Sequence, residues 1–104
     1  RQGKFEIAHM PAGCAHNAHM FWIKLRELEE RTAMIAHLKR QGIYSMFHYV
    51  PLHSAEAGYK FGRFEGQDVY TTKESNRLTR LPMYYGLTEK EVNTVAEAVK
   101  DFWR

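Results

Sequence analysis

The sequence predicts a two-layer α/β sandwich, a small three-stranded sheet with helices on one face. Three observations predict it. Apolar runs of strand length stand at about His19–Arg26, Ile43–Tyr49 and Leu81–Tyr85. Apolar residues recur at helical spacing over Glu29–Gln41 and Glu89–Trp103. Two capping sequences, Thr71 with Glu74 and Thr88 with Glu91, mark helix starts. The order is then strand, helix, strand, long loop, helix, strand, helix.

Residues 1–17 read as irregular, with Phe5-Glu6-Ile7 as a short extended piece and Pro11-Ala12-Gly13 as a turn. In the first strand Phe21, Ile23 and Leu25 point one way, and Met20, Trp22 and Lys24 the other. Met34, Ile35 and Leu38 form the stripe of the first helix. Lys39 and Arg40 suit its negative C-terminal end, and Gly42 suits a left-handed stop. The second strand, Ile43–Tyr49, leads into Val50-Pro51-Leu52-His53. Residues 51–70 carry Gly58, Gly62 and Gly66 among aromatic residues and show no clean period. A helical turn is expected there near Ala55–Gly58. The second helix is expected from a Thr71 cap to about Arg80. Pro82 puts the third strand at a sheet edge or beside a bulge. The last helix shows Val92, Val95, Ala96, Val99 and Phe102 on one stripe.

A length of 104 residues allows one domain with one modest core. The net charge of +3 comes from bases interleaved with acids, as in Glu29-Glu30-Arg31, which reads as solvated faces rather than a nucleic-acid footprint. Cys14 stands alone, so no internal disulfide framework exists, which fits a reducing compartment such as the cytoplasm. No apolar run approaches membrane-spanning length. The chain opens on Arg1-Gln2-Gly3 without an initiator Met, and it is expected to be a piece of a longer polypeptide. Met20 and Trp22 would leave the outer sheet face apolar, which suggests a missing partner domain or subunit.

Six histidines invite a metal reading around Cys14, His16, His19, His48 and His53, but their spacing matches no standard site. Cys14 near His16 lacks a nucleophile turn. The Gly58–Gly66 stretch has neither phosphate-loop nor dinucleotide spacing. The aromatic strand residues read as core rather than as a base-stacking platform. His37 reads as solvent-facing and His9 as a loop residue. His48 and His53 keep two readings. They are either strand-end packing with satisfied hydrogen bonds, or imidazoles at a pocket rim that donate to a phosphate or sugar oxygen.

Four segments then occur in a telling order: His16-Asn17-Ala18-His19-Met20-Phe21, Phe47-His48-Tyr49-Val50-Pro51-Leu52-His53, Tyr70-Thr71-Thr72-Lys73-Glu74-Ser75 and Arg80-Leu81-Pro82-Met83-Tyr84-Tyr85. Together they resemble the C-terminal small domain of the DegT/DnrJ-type nucleotide-sugar aminotransferases. The resemblance covers nearly the whole chain and is generic in the last helix. It implies the small domain of a fold type I enzyme, with a mainly antiparallel sheet. On that basis residues 1–17 join a missing large domain and residues 18–104 form the small domain. It also implies pyridoxal 5′-phosphate (PLP) in the parent enzyme, held as a Schiff base by an upstream lysine, with no catalytic residue and no metal in this chain. The fragment alone is expected to be inactive and to carry no cofactor. The resemblance further implies glutamate as amino donor, a 4-keto-6-deoxy nucleotide-diphosphate sugar as acceptor, and a homodimer. The substrate-facing positions it suggests are His48, Tyr49, His53 and His19. Trp22 departs from the usual residue, and the Pro51–Tyr70 loop varies in the family. A second reading is a free-standing α/β module that dimerises through its open sheet face.

Overall fold

The computed structural model describes residues 3–104. The strand β1 is Glu6–Ile7, β2 is Phe21–Lys24 and β3 is Leu78–Leu81; the helices are α1 (Leu28–Arg40), α2 (Glu56–Phe61), α3 (Thr71–Arg77) and α4 (Glu89–Asp101). The sheet order is β1-β2-β3, antiparallel throughout. No described helix is long and apolar enough to cross a membrane.

Strand pairing sorts the side chains. Ile23 faces Thr79 and Phe21 faces Leu81, while Trp22 faces Arg80 and Lys24 faces Leu78. Opposed residues in an antiparallel pair share a face. The Ile23 face carries the core: Ile23, Leu25, Met34, Leu38, Ile43, Ala98 and Val99. Thus α1 and α4 pack on the side that the alternation of β2 predicts. The outer-face residues Met20 and Trp22 are half-buried rather than open. The greatest apolar exposure lies instead outside the sheet and the two long helices, at Tyr44, Leu52, Tyr59, Phe61, Tyr70 and Tyr85. The radius of gyration of 15.7 Å exceeds the ~13 Å of a compact domain of about 100 residues.

The helix ends obey local chemistry. Gly42 has φ +75°, and the N–H groups of Gly42 and Ile43 donate to the carbonyls of Lys39 and Leu38. This double bond is the Schellman stop expected at Gly42. The α4 capping box forms as predicted, with the Glu91 N–H donating to the Thr88 hydroxyl and the Thr88 N–H to the Glu91 carboxylate. His37 departs from its solvent-facing reading. It is half-buried, its Nε2 lies 2.9 Å from the Ala98 carbonyl oxygen, and it contacts Phe102 edge-on, tying α1 to α4.

Four further expectations are corrected. Ile43–Tyr49 alternates in burial through Ile43 and Ser45 but joins the sheet at one bridge only, Met46 with Arg80. The third strand runs over Leu78–Leu81 instead of 81–85, and α3 stops at Arg77, because Leu78–Leu81 pairs residue for residue with β2. Pro82, which lacks an N–H, ends that strand. The Thr71–Glu74 capping box does not form. Asp68 caps from outside by accepting from the Thr72 N–H at 3.2 Å.

Glu74 is drawn elsewhere. Lys24 Nζ lies 2.9 Å from Glu6 and 3.0 Å from Glu74, and Arg77 lies 3.0 and 3.1 Å from the same two carboxylates. Hydrogen bonds from Lys24 are the main reason both glutamates titrate below their ordinary range, and the bond to Glu6 is the main reason Lys24 titrates above its own. The carboxylates therefore stabilise the fold above the glutamate range, about pH 4, and that contribution is lost as pH falls through their lowered values. The Lys24 contribution is present below about pH 10 and is lost as pH rises through its raised value. Urea midpoints should fall between pH 6 and pH 3, and Glu74→Gln should flatten that fall. A variant whose acid profile matches wild type would remove the network from the stability account.

The long loop holds a 3₁₀ turn at Leu52–Ser54 followed by α2, so the helical turn expected near Ala55–Gly58 is there and extends to Phe61. Gly58 allows the two to meet, since a Cβ at this position would overlap the Leu52 carbonyl oxygen.

Candidate functional site

His48 and Tyr49 leave the sheet just after the Met46 bridge, and three contacts hold the segment. Arg31, buried on α1, lays its guanidinium 4.5 Å from the centre of the Phe47 ring and donates to the Ser75 carbonyl at 2.8 Å. The Ser75 hydroxyl donates to the Tyr49 carbonyl. On the other side the Arg80 guanidinium sits 5.7 Å from the centre of the Tyr49 ring. Arg80 is itself fixed by backbone bonds in both directions with Met46, at 2.7 and 3.2 Å.

His48 is half-buried, and its Nδ1 is buried without a hydrogen-bond partner among the described residues. Burial, and secondarily the charge of Arg80, push its pKa down, so the ring is neutral at pH 7. A neutral imidazole with a free ring nitrogen can donate or accept according to tautomer.

His19 stands at the entry to β2, where the Asn17 side chain accepts from its N–H at 3.1 Å and the His16 ring accepts from the Ala18 N–H. His19 shares a pocket of about 190 Å³ with Tyr44, Met46, Arg80 and Met83. Arg80 is therefore the residue that relates His19, His48 and Tyr49.

His53 belongs to a different cluster. Its Nε2 lies 2.9 Å from Asp68, its ring centre is 4.4 Å from that of Phe64, and Thr72 donates its hydroxyl to the same Asp68 oxygen. The Thr72 hydroxyl and N–H, with His53 adding to them, hold the Asp68 carboxyl below its usual range. His53 lines a separate pocket of about 570 Å³ with Leu52, Phe61, Phe64 and Thr71. The pockets of His19 and His53 share no lining residue, and His48 lines neither of them. Sequence reasoning missed Arg80, Arg31 and Asp68. No local signal marks Arg80 and Arg31, because each acquires its role from residues far along the chain; Asp68 has a local one, standing four residues before Thr72 at the start of α3. Among the described residues no three His, Cys, Asp or Glu side chains are gathered as a metal set.

The fold is thus an antiparallel three-stranded sheet backed by two helices, with a histidine-bearing exit at one edge. The chain belongs to the DegT/DnrJ/EryC1/StrS aminotransferase family, which it matches over residues 2–100. It is 32% identical over 93 residues to a pleiotropic regulatory protein of Geobacillus stearothermophilus, covering 88% of this chain and 24% of that one. The aminotransferase TlmJ from Streptoalloteichus hindustanus superposes with a TM-score of 0.83 at 25% identity, over 97% of this chain and 26% of that one. A DegT DnrJ EryC1 StrS aminotransferase from Brucella abortus has the same fold, with a TM-score of 0.81 at 24% identity, over 95% of this chain and 26% of that one. The chain spans about a quarter of the length of these relatives.

Proposed function

We propose that this chain is the C-terminal small domain of a PLP-dependent aminotransferase that moves an amino group from glutamate to a 4-keto-6-deoxy nucleotide-diphosphate sugar. In this reading residues 1–17 lead in from a large domain and residues 18–104 are the small domain. The enzyme is a cytoplasmic homodimer that supplies amino sugars for surface polysaccharide or lipopolysaccharide synthesis. In this reading the enzyme is of the dTDP-4-amino-4,6-dideoxygalactose transaminase kind, of enterobacterial common antigen synthesis. The observation that carries the reading is the family match along residues 2–100, in a chain that spans only a quarter of its relatives.

The side chains fit the surroundings of the cofactor and not its anchor. Imine formation needs a lysine that gives up its proton readily. Lys24, half-buried in the sheet, is held charged by Glu6 and Glu74. Lys60 lies exposed over the Phe61 ring. His48, with its unpartnered buried Nδ1, fits a wall that donates to or accepts from a bound ligand. When bound, PLP supplies an electron sink for the amino donor's α-carbon. The chain's own part is to wall the site with His48, Tyr49, His19 and His53, orient the sugar nucleotide and exclude water.

The full-length protein, incubated with glutamate and a 4-keto-6-deoxy sugar nucleotide, should yield the amino sugar nucleotide by mass spectrometry. Failure with every keto sugar nucleotide and amino donor tried would remove the reading. His48→Ala and His53→Ala in that protein should each weaken sugar-nucleotide use by about tenfold or more while PLP content stays at wild-type level. Loss of bound PLP would assign these residues to cofactor support instead. The isolated chain, treated with PLP and borohydride and then mapped by peptide, should show no lysine labelled to stoichiometry. One fully labelled lysine would overturn the upstream anchor.

A further inference from the structure

Of the three described arginines withdrawn from solvent, Arg31, Arg77 and Arg80, the first two have polar partners and Arg80 has none among the described residues. Lys24, Arg63, Arg77, Lys100 and Arg104 all have carboxylate partners within 4 Å. Arg31 spends its charge on the Ser75 carbonyl. The half-buried Arg80 side chain makes no hydrogen bond and no ion pair among the described residues; its guanidinium faces the Tyr49 ring. The half-buried His48 follows two residues after Met46, the bridge partner of Arg80, and His19 lines the same pocket as Arg80. No acidic residue lines that pocket. A guanidinium removed from bulk water normally faces a carboxylate or phosphate, which its planar fork matches with two parallel hydrogen bonds. The pocket of about 190 Å³ is large enough for one such group and too small for a whole nucleotide sugar.

We propose that Arg80, flanked by His19 and His48, is a receptor for a small oxyanion, the carboxylate or phosphate group of a substrate. The backbone pairing with Met46 and the Tyr49 ring aim the guanidinium before the ligand arrives, so little side-chain freedom is lost on binding. His48 adds a neutral hydrogen-bond partner, which leaves Arg80 to set the charge of the site. The identity of the ligand rests on the aminotransferase reading. The existence of the anion site does not.

The test titrates the full-length protein with inorganic phosphate and, separately, with glutamate, while the histidine ring resonances are followed by NMR. The resonances of His19 and His48 should shift saturably with at least one anion. Arg80→Gln should weaken that binding by about tenfold or more, and Arg80→Lys, which keeps charge but not the fork, should fall between. An unchanged circular dichroism spectrum guards against misfolding, and the Lys variant gives a second reading if the Gln variant does not fold. Displacement of bound phosphate by the sugar nucleotide alone assigns the site to the acceptor's diphosphate, and displacement by glutamate alone assigns it to the donor's carboxylate. If neither anion moves the two histidines, or Arg80→Gln binds like wild type, the site does not exist. Normal amino transfer with no anion response would sink this inference and leave the enzyme reading standing. Anion binding without amino transfer would do the reverse.

Discussion

Truncating Leu38 to Ala should lower the unfolding free energy by about 2–5 kcal/mol. Leu38 is fully buried, where α1 meets the sheet and α4. Removing its branched end takes away transfer energy and leaves a void that rigid neighbours fill only in part. The loss matters more here than in a larger domain. The buried apolar core among the described residues is seven side chains, and a small domain has little stability to lose. Urea denaturation of the variant, set beside Tyr85→Ala at a fully exposed position, provides the comparison. The exposed variant should stay within about 0.5 kcal/mol of wild type. Equal effects at the two positions would mean that the core does not sit where α1 crosses the sheet.

Arg31 has the second large expected effect, and its sign depends on the replacement. Arg31→Ala removes a charged hydrogen bond to the Ser75 carbonyl and the stacking over Phe47, and it opens space. The cost should be roughly 2–4 kcal/mol. Arg31→Met keeps most of the volume. It also deletes a guanidinium whose Nε is buried without a partner and whose charge is costly to bury. Met should therefore cost less than half of what Ala costs. If the two variants are equally unstable, the polar tie to α3 carries the stability and packing does not. Arg31→Ala should also loosen the Ser75 to Tyr49 link, so faster amide exchange at Phe47–Tyr49 is expected. Unchanged exchange there would separate Arg31 from the candidate site.

The fold was legible where its bonds close within a few residues. The Gly42 stop joins Ile43 to Leu38, and the Thr88–Glu91 box spans a single turn. The alternation in β2 assigned Ile23 and Leu25 to the core face, and both are buried there. The failures share one cause. Leu78–Leu81 follows a helical stretch and differs little from it locally; only pairing with Phe21–Lys24, more than fifty residues earlier, makes it a strand. Ile43–Tyr49 has the composition of a strand, yet only Met46 finds a partner. The Thr71–Glu74 box was a sound local expectation, overridden because Lys24 and Arg77 offer Glu74 two cations.

The candidate site divides the same way. His48 and Tyr49 stood out in the chain because they end an apolar run just before Pro51. Arg80 did not, since nothing beside it in sequence says that it will lack a counter-charge. The Gly42 stop and the Thr88 start were determined by the sequence itself, through contacts that need only neighbours, and the aminotransferase kinship was legible in the order of its segments. Only the tertiary structure decided that His53 joins Asp68 away from the His19 pocket and that the half-buried Arg80 is left without a polar partner among the described residues. Whether a charge is satisfied depends on every side chain that folding brings within hydrogen-bond reach, and those come from the whole length of the chain.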